Sequence, residues 1–196
     1  VPPTAQIIEA GSISAIIEPG ASAVLDALAR GREHALVFFD PNARPSIMGE
    51  PAVALVSLER FIALADVVKV SDEDIEWLTG GAPIDKVVDR WLRLGPSLVV
   101  VTRGKHGSDV ATASGVRFTK TPSDVKVVDT VGAGDSFMGG MIDAMWGMGL
   151  RGADAREALR SLPEEQVRAI IDRASAVSDV TVSRKGANPP WAHELS

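Results

Sequence analysis

The stretch Asp129-Thr130-Val131-Gly132-Ala133-Gly134-Asp135 concentrates the residue types that chemistry on a phosphate requires. Two glycines where an extended segment gives way to a helix let the backbone turn tightly and aim several N–H groups at one point. With a helix dipole behind them, such donors form an anion nest suited to a phosphate or a developing oxyanion. Asp135, at the start of the same helix, is placed to accept a proton from an attacking hydroxyl. Local helix chemistry offers a second account, because the dipole favours an acid in the first turn and Gly is common before a helix. On local grounds the two accounts stand level. A Walker A loop is excluded, since no Gly-Lys-Ser/Thr follows. The dinucleotide fingerprint fails as well, since Phe137 stands where its third Gly or Ala belongs.

Hydrophobic patterning gives the elements that must carry this turn. Apolar runs at 13–17, 35–39, 66–70 and 98–102 read as strands, with helical patterns between them at 21–30, 51–65, 72–78 and 84–94. Unalternating apolar strands separated by helices specify a parallel sheet covered on both faces. Segments 110–113 and 116–120 flank a Ser114-Gly115 turn and read as a hairpin, while 125–128 reads as a further strand entering the glycine turn. Helices are expected over 135–148 and from Pro163 to Ser178. The expectation is one α/β domain over 1–196, a three-layer α/β/α sandwich with a mostly parallel sheet. Ligands in such sheets collect at the carboxyl ends of strands. That rule selects 11–14, 40–45, 71–74 and 102–107 alongside 129–135.

Composition narrows the function classes. The chain has 196 residues, 26 Asp and Glu against 20 Lys and Arg, a net charge of −6, and 45% hydrophobic residues. With no Cys, disulfides, thiolate metal sites and thiol nucleophiles are excluded, and three scattered His do not suggest a His metal site. The acidic balance argues against nucleic acid as a partner. No apolar run reaches membrane-spanning length and the first residues lack a leader pattern, so a cytoplasmic location is expected.

The segment 129–135 with Ser136-Phe137 resembles the C-terminal signature of the ribokinase-like (PfkB) carbohydrate kinases. Other segments resemble the same family in the same order, above all its fructokinase-like branch. They are Gly11-Ser12-Ile13-Ser14, Asp40-Pro41-Asn42-Ala43-Arg44-Pro45, Lys69-Val70-Ser71, Leu78-Thr79-Gly80, Thr102-Arg103-Gly104-Lys105-His106-Gly107 and Arg184-Lys185-Gly186-Ala187-Asn188. The resemblance implies a ribokinase-like fold without that family's N-terminal strands and β lid, so that a fragment of a longer protein is expected. It implies ATP-dependent phosphorylation of a sugar hydroxyl, with Asp135 as general base and the N–H groups of Gly132, Ala133 and Gly134 holding charge on the transferred phosphoryl group.

For the nucleotide, the resemblance implies contacts from Thr102, Arg103, Gly104, Lys105, His106 and Gly107, from Gly134, and from Asn42 and Arg44 on the phosphates, with Ser175 facing the base. Ser71 and Asp74 stand where the family has an Asn and a Glu that organise Mg²⁺ and phosphate, and Asp74 is the shorter acid. Asp129 and the Val131 carbonyl are implied ligands of a monovalent cation, K⁺. Read without the family, Gly104 and Gly107 shape a turn, and Ser71 with its acids is a helix start. The implied partners are a sugar and ATP, with a homodimer through the lid. A fructokinase-like activity leads, with ribokinase or 2-keto-3-deoxygluconate kinase as the alternative. From other classes come a non-catalytic nucleotide-binding remnant and a dinucleotide-dependent oxidoreductase.

Overall fold

Strand β2 (Leu36–Asp40) is apolar on both faces, and the sheet built around it is covered on both. In the computed structural model, which describes residues 1–195, four parallel strands lie in chain order: β1 (Ile7–Gly11), β2, β3 (Val67–Ser71) and β4 (Leu98–Thr102). The hairpin β5 (Ser108–Thr112) and β6 (Arg117–Lys120) continues the sheet antiparallel to β4. Side-chain alternation then sorts the core. Val37, Phe39, Val68 and Val70 pack on one side with α1 (Gly20–Gly31), α3 (Pro51–Ile62), α4 (Asp72–Thr79) and α5 (Ile84–Leu94). Leu36, Phe38, Val67 and Val100 face the other side, beneath α6 (Ala133–Gly147) and α8 (Glu164–Val182). The expected three-layer sandwich is what forms. Short helices α2 (Pro45–Met48) and α7 (Arg156–Arg160) went unsignalled in the sequence.

Helix α6 lies unusually close to α8. A Cβ at Gly140 would come 2.7 Å from the Ala174 Cα, so the contact requires a residue without a side chain there. Gly139, its neighbour, faces open space.

Two strand expectations are corrected. Residues 13–17 form no strand; the first strand is 7–11, and a 3-10 turn Ser12–Ala15 follows it. Glu9 interrupts the apolar pattern of the true strand, but pairing with β2 from Ile7↔Leu36 to Gly11↔Asp40 decides the matter. The chain leaves the sheet at Ser12, whose φ of 56° ends extended structure, and the Ser14 hydroxyl donates back to the Gly11 carbonyl. Residues 125–128 are irregular, tied by the Val128 N–H to the Val182 carbonyl, with Val127 and Val128 exposed. One isolated bond does not make a ladder. No described helix is long and apolar enough to cross a membrane.

Candidate active site

The parallel strands deliver their carboxyl ends to one rim of the sheet. On the α6 side of that rim, Asp40 closes β2 and Lys69 lies in β3, both buried among otherwise apolar strand residues. The Lys69 ammonium meets Asp40 Oδ2 at 2.6 Å, with both side chains about 5% exposed. Gly11, opposite Asp40 in β1, has no room for a side chain, since a Cβ would lie 2.0 Å from the Asp40 carbonyl oxygen. Burial pushes the Asp40 carboxyl above its ordinary 3.8, against the pull of Lys69.

Above this pair begins α6. Gly132 is its N-cap with φ 78°, a left-handed conformation that suits glycine. The Val131 N–H goes to Asp129 and the Ala133 N–H to the Thr130 carbonyl. Gly132, Gly134 and Asp135 therefore present the N–H groups without an internal acceptor, which shifts the expected cradle by one residue away from Ala133. A Cβ at Gly134 would lie 2.8 Å from the Lys69 ammonium, so the buried cation sits directly against the first turn. Asp135 is exposed in that turn with no side-chain partner. Glu9, solvent-accessible in β1, shares the neighbourhood. Lost hydration first, then the carboxylates of Asp40 and Asp135, raise its pKa above the ordinary 4.5.

The other expected residues fall around this point in distinct states. Ser71 caps α4 in a reciprocal box with Asp74, its Oγ accepting the Asp74 N–H at 3.0 Å. Asp74 also accepts the Ala43 N–H at 3.0 Å, which draws the 40–45 loop onto α4. Asn42 has φ 37° and its carbonyl accepts the Ser12 hydroxyl, joining the ends of β1 and β2. Arg44 folds back to donate to the Asn42 side chain at 2.6 Å. Thr102 ends β4, and its hydroxyl donates to the Val70 carbonyl. Arg103 is paired with Asp109 at 3.1 Å, whereas Gly104, Lys105 and His106 form an exposed 3-10 turn. Gly107 has φ 86° and lies against Lys120, whose carbonyl a Cβ would reach at 1.9 Å. Gly104, at φ 49°, and Gly107 both take the left-handed backbone that a tight turn uses.

Asp129 clasps two loops. Its oxygens accept the Val131 N–H at 3.0 Å and the Gly186 N–H at 2.9 Å, and these bonds hold its carboxyl below the ordinary 3.8. From α8 the Ser178 hydroxyl donates to the Ala133 carbonyl at 3.1 Å, and Ser175, one turn earlier, is half-buried with no side-chain hydrogen bond among the described residues. Among the described residues no three His, Cys, Asp or Glu side chains gather as a metal cage. An ion at this rim would have to keep its own waters, as magnesium does, because Asp74, the nearby acid, already accepts the Ala43 and Ser71 N–H groups.

Sequence reasoning passed over Lys69, Glu9 and Ser178 as site residues. The signal for Lys69 was available: a lone lysine inside an apolar strand run is rarely buried without a purpose.

The model of the pfkB family carbohydrate kinases matches residues 4–194. A probable fructokinase of Arabidopsis thaliana is 33% identical over 189 residues, covering 95% of this chain and 54% of its own length. A fructokinase of Xylella fastidiosa, solved with bound ATP, superposes with TM-score 0.81 at 28% identity, over 93% of this chain and 56% of that one. An aminoimidazole riboside kinase of Salmonella enterica, solved with its riboside and an ATP analogue, gives 0.78 at 27% identity, over 100% and 63%. The chain spans about half the length of such curated relatives.

Proposed function

Because this chain belongs to the pfkB family of carbohydrate kinases, we propose that it carries the phosphoryl-transfer centre of an ATP-dependent sugar kinase with fructose as its first candidate acceptor. The observation that supports this reading most is the opening of α6, where free N–H donors and one unpaired acid stand over the carboxyl ends of the parallel strands. Asp135 takes the proton from the attacking sugar hydroxyl as its oxygen bonds to the γ-phosphorus. The bond from that phosphorus to the β-phosphate oxygen breaks, leaving ADP and the sugar phosphate. Positioning and charge stabilisation supply most of the rate in such transfers. The N–H groups of Gly132 and Gly134 receive the negative charge that spreads over the phosphoryl oxygens.

The nucleotide is placed along the rim between Thr102–Gly107 and the 183–188 turn, with Asn42 and Arg44 toward its phosphates and Ser175 and Ser178 on the α8 side. Magnesium, carried on those phosphates, neutralises their charge, and Ser71 and Asp74 are the residues that would orient its waters. Asp129 with the Val131 carbonyl would hold a monovalent cation, the carboxylate staying charged because two N–H groups already stabilise it. A riboside acceptor is the second reading, favoured by the superposition of all of this chain on 63% of aminoimidazole riboside kinase.

ADP release measured across fructose, ribose, 2-keto-3-deoxygluconate and aminoimidazole riboside tests both readings in the native full-length protein. Fructose-dependent ADP formation is expected. A preference for the riboside selects the second reading, and no sugar-dependent ADP at all overturns the kinase assignment.

A further inference from the structure

Lys69 is the only charged residue of β3, and it lies on the face where Val67 packs beneath α6. Lysine almost never buries its ammonium without a strong reason, since desolvation disfavours the charged form. Here the ammonium goes to a place that simple helix electrostatics disfavours. It lies against the positive N-terminal end of α6, in the space a side chain at residue 134 would need. Asp40, equally buried, is the anion that holds it there. The Asp40 carboxyl is in turn fixed by the Asn42 N–H at 3.2 Å. Glu9 and Asp74 are the other acids coupled by charge to this pair, and Asp135 acts on Glu9. A cation pressed against a helix N-terminus that carries free N–H groups makes one place more positive than either source alone.

We propose that Lys69 is a positioning residue of the phosphoryl-transfer reaction, clamped by Asp40 against Gly134 so that its charge and bulk fix the first turn of α6 behind the donors that meet the migrating phosphoryl group. The proposal rests on the sugar-kinase reading and adds to it a residue that neither donates nor accepts a proton. In the transfer step the sugar oxygen gains phosphorus, ADP leaves with the electron pair of the broken bond, and the hydroxyl proton goes to Asp135. Gly134 thereby acquires a second duty, that of leaving space for the ammonium.

The test compares Lys69→Met with the double variant Lys69→Met/Asp40→Asn in the native full-length protein, following kcat, KM for sugar and ATP, and thermal midpoint. The single variant strands a buried carboxyl and is expected to lose stability. The double variant leaves a neutral pair, which a purely structural role tolerates well. The expected result is a folded double variant whose kcat falls about 100-fold, the scale of losing one preorganised electrostatic group, with sugar KM within about threefold. A folded double variant with kcat within about threefold of the parent overturns the proposal while the kinase reading stands. If the double variant does not fold, Lys69→Gln is read instead, since its amide can still donate to Asp40 while the charge is lost and no N–H donor of the α6 opening is altered. A kcat loss of about tenfold or more supports the proposal, and an unchanged kcat overturns it. A parent protein that forms no ADP with any sugar overturns the kinase reading and this inference together.

Discussion

The two ends of the parallel sheet each bury an acid with a base, and the contrast between them separates a latch from a working part. At the amino end Asp66, 1% exposed, accepts the Val37 N–H at 2.9 Å and two bonds from Arg156, at 2.7 and 3.2 Å. Arg156 donates further to the carbonyls of Arg32 and Ala35, so α7 is sewn onto the strand starts. Every oxygen of Asp66 is answered from several sides, by Arg32, Arg156 and the Val37 N–H. At the carboxyl end Asp40 and Lys69 have a sparser set of bonds, and the cation is aimed at the opening of α6. Burial of charge is common to both. What differs is how completely the groups satisfy one another and what lies beyond them.

The largest effect that would sharpen this contrast is at the carboxyl end. Asp135→Asn is expected to lower kcat by about 10²–10⁴-fold, the range for a general base, with the thermal midpoint unchanged. Initial rates of ADP formation and a melt of the same preparation check it. At the amino end Arg156→Met leaves Asp66 buried without its main partner and is expected to cost about 3–5 kcal/mol of stability. Denaturant titration measures this, and a kcat loss in the still-folded variant would break the division between the two ends. Gly140→Ala, which drives a methyl into α8, is expected to cost about 1–3 kcal/mol in the same titration.

A smaller effect concerns Asp129. Its folded-state pKa lies below the ordinary 3.8, so its contribution to stability is fully present above that value and is lost as pH falls through the lowered one. Asp129→Asn should remove that contribution throughout the neutral range and flatten the matching part of the acid-unfolding profile, the two proteins converging at low pH. Smallest of all, His106→Ala on the exposed turn should alter ATP KM by no more than about twofold, within the usual range for a surface change.

The legibility of the sequence followed the same division. β2 and β4 were readable because runs such as Leu98–Thr102 are apolar on both faces, and α4 because Ser71 and its acids announce a cap. β1 was misplaced by six residues because its pattern is decided by a partner strand and not by its own composition. Of the candidate site, local chemistry made the glycine turn legible as a helix opening, while for Asp135 it left a proton acceptor and a plain first-turn acid level. The Asp40–Lys69 pair could not, since residues 29 apart meet only once the sheet register is set. The occupancy of individual N–H groups was equally hidden: Ala133 looked like a donor to a ligand, yet its N–H closes a turn on Thr130.

Ala133 has a further consequence through its carbonyl, which accepts hydroxyls from both Ser136 and Ser178. The second bond pins the mouth of α6 to α8, and Gly140 keeps the two rods in contact a little further along. The two helices are therefore joined at two separate points. Sliding one rod along the other would have to break that hydroxyl contact and lift the Ala174 backbone off Gly140 at the same time.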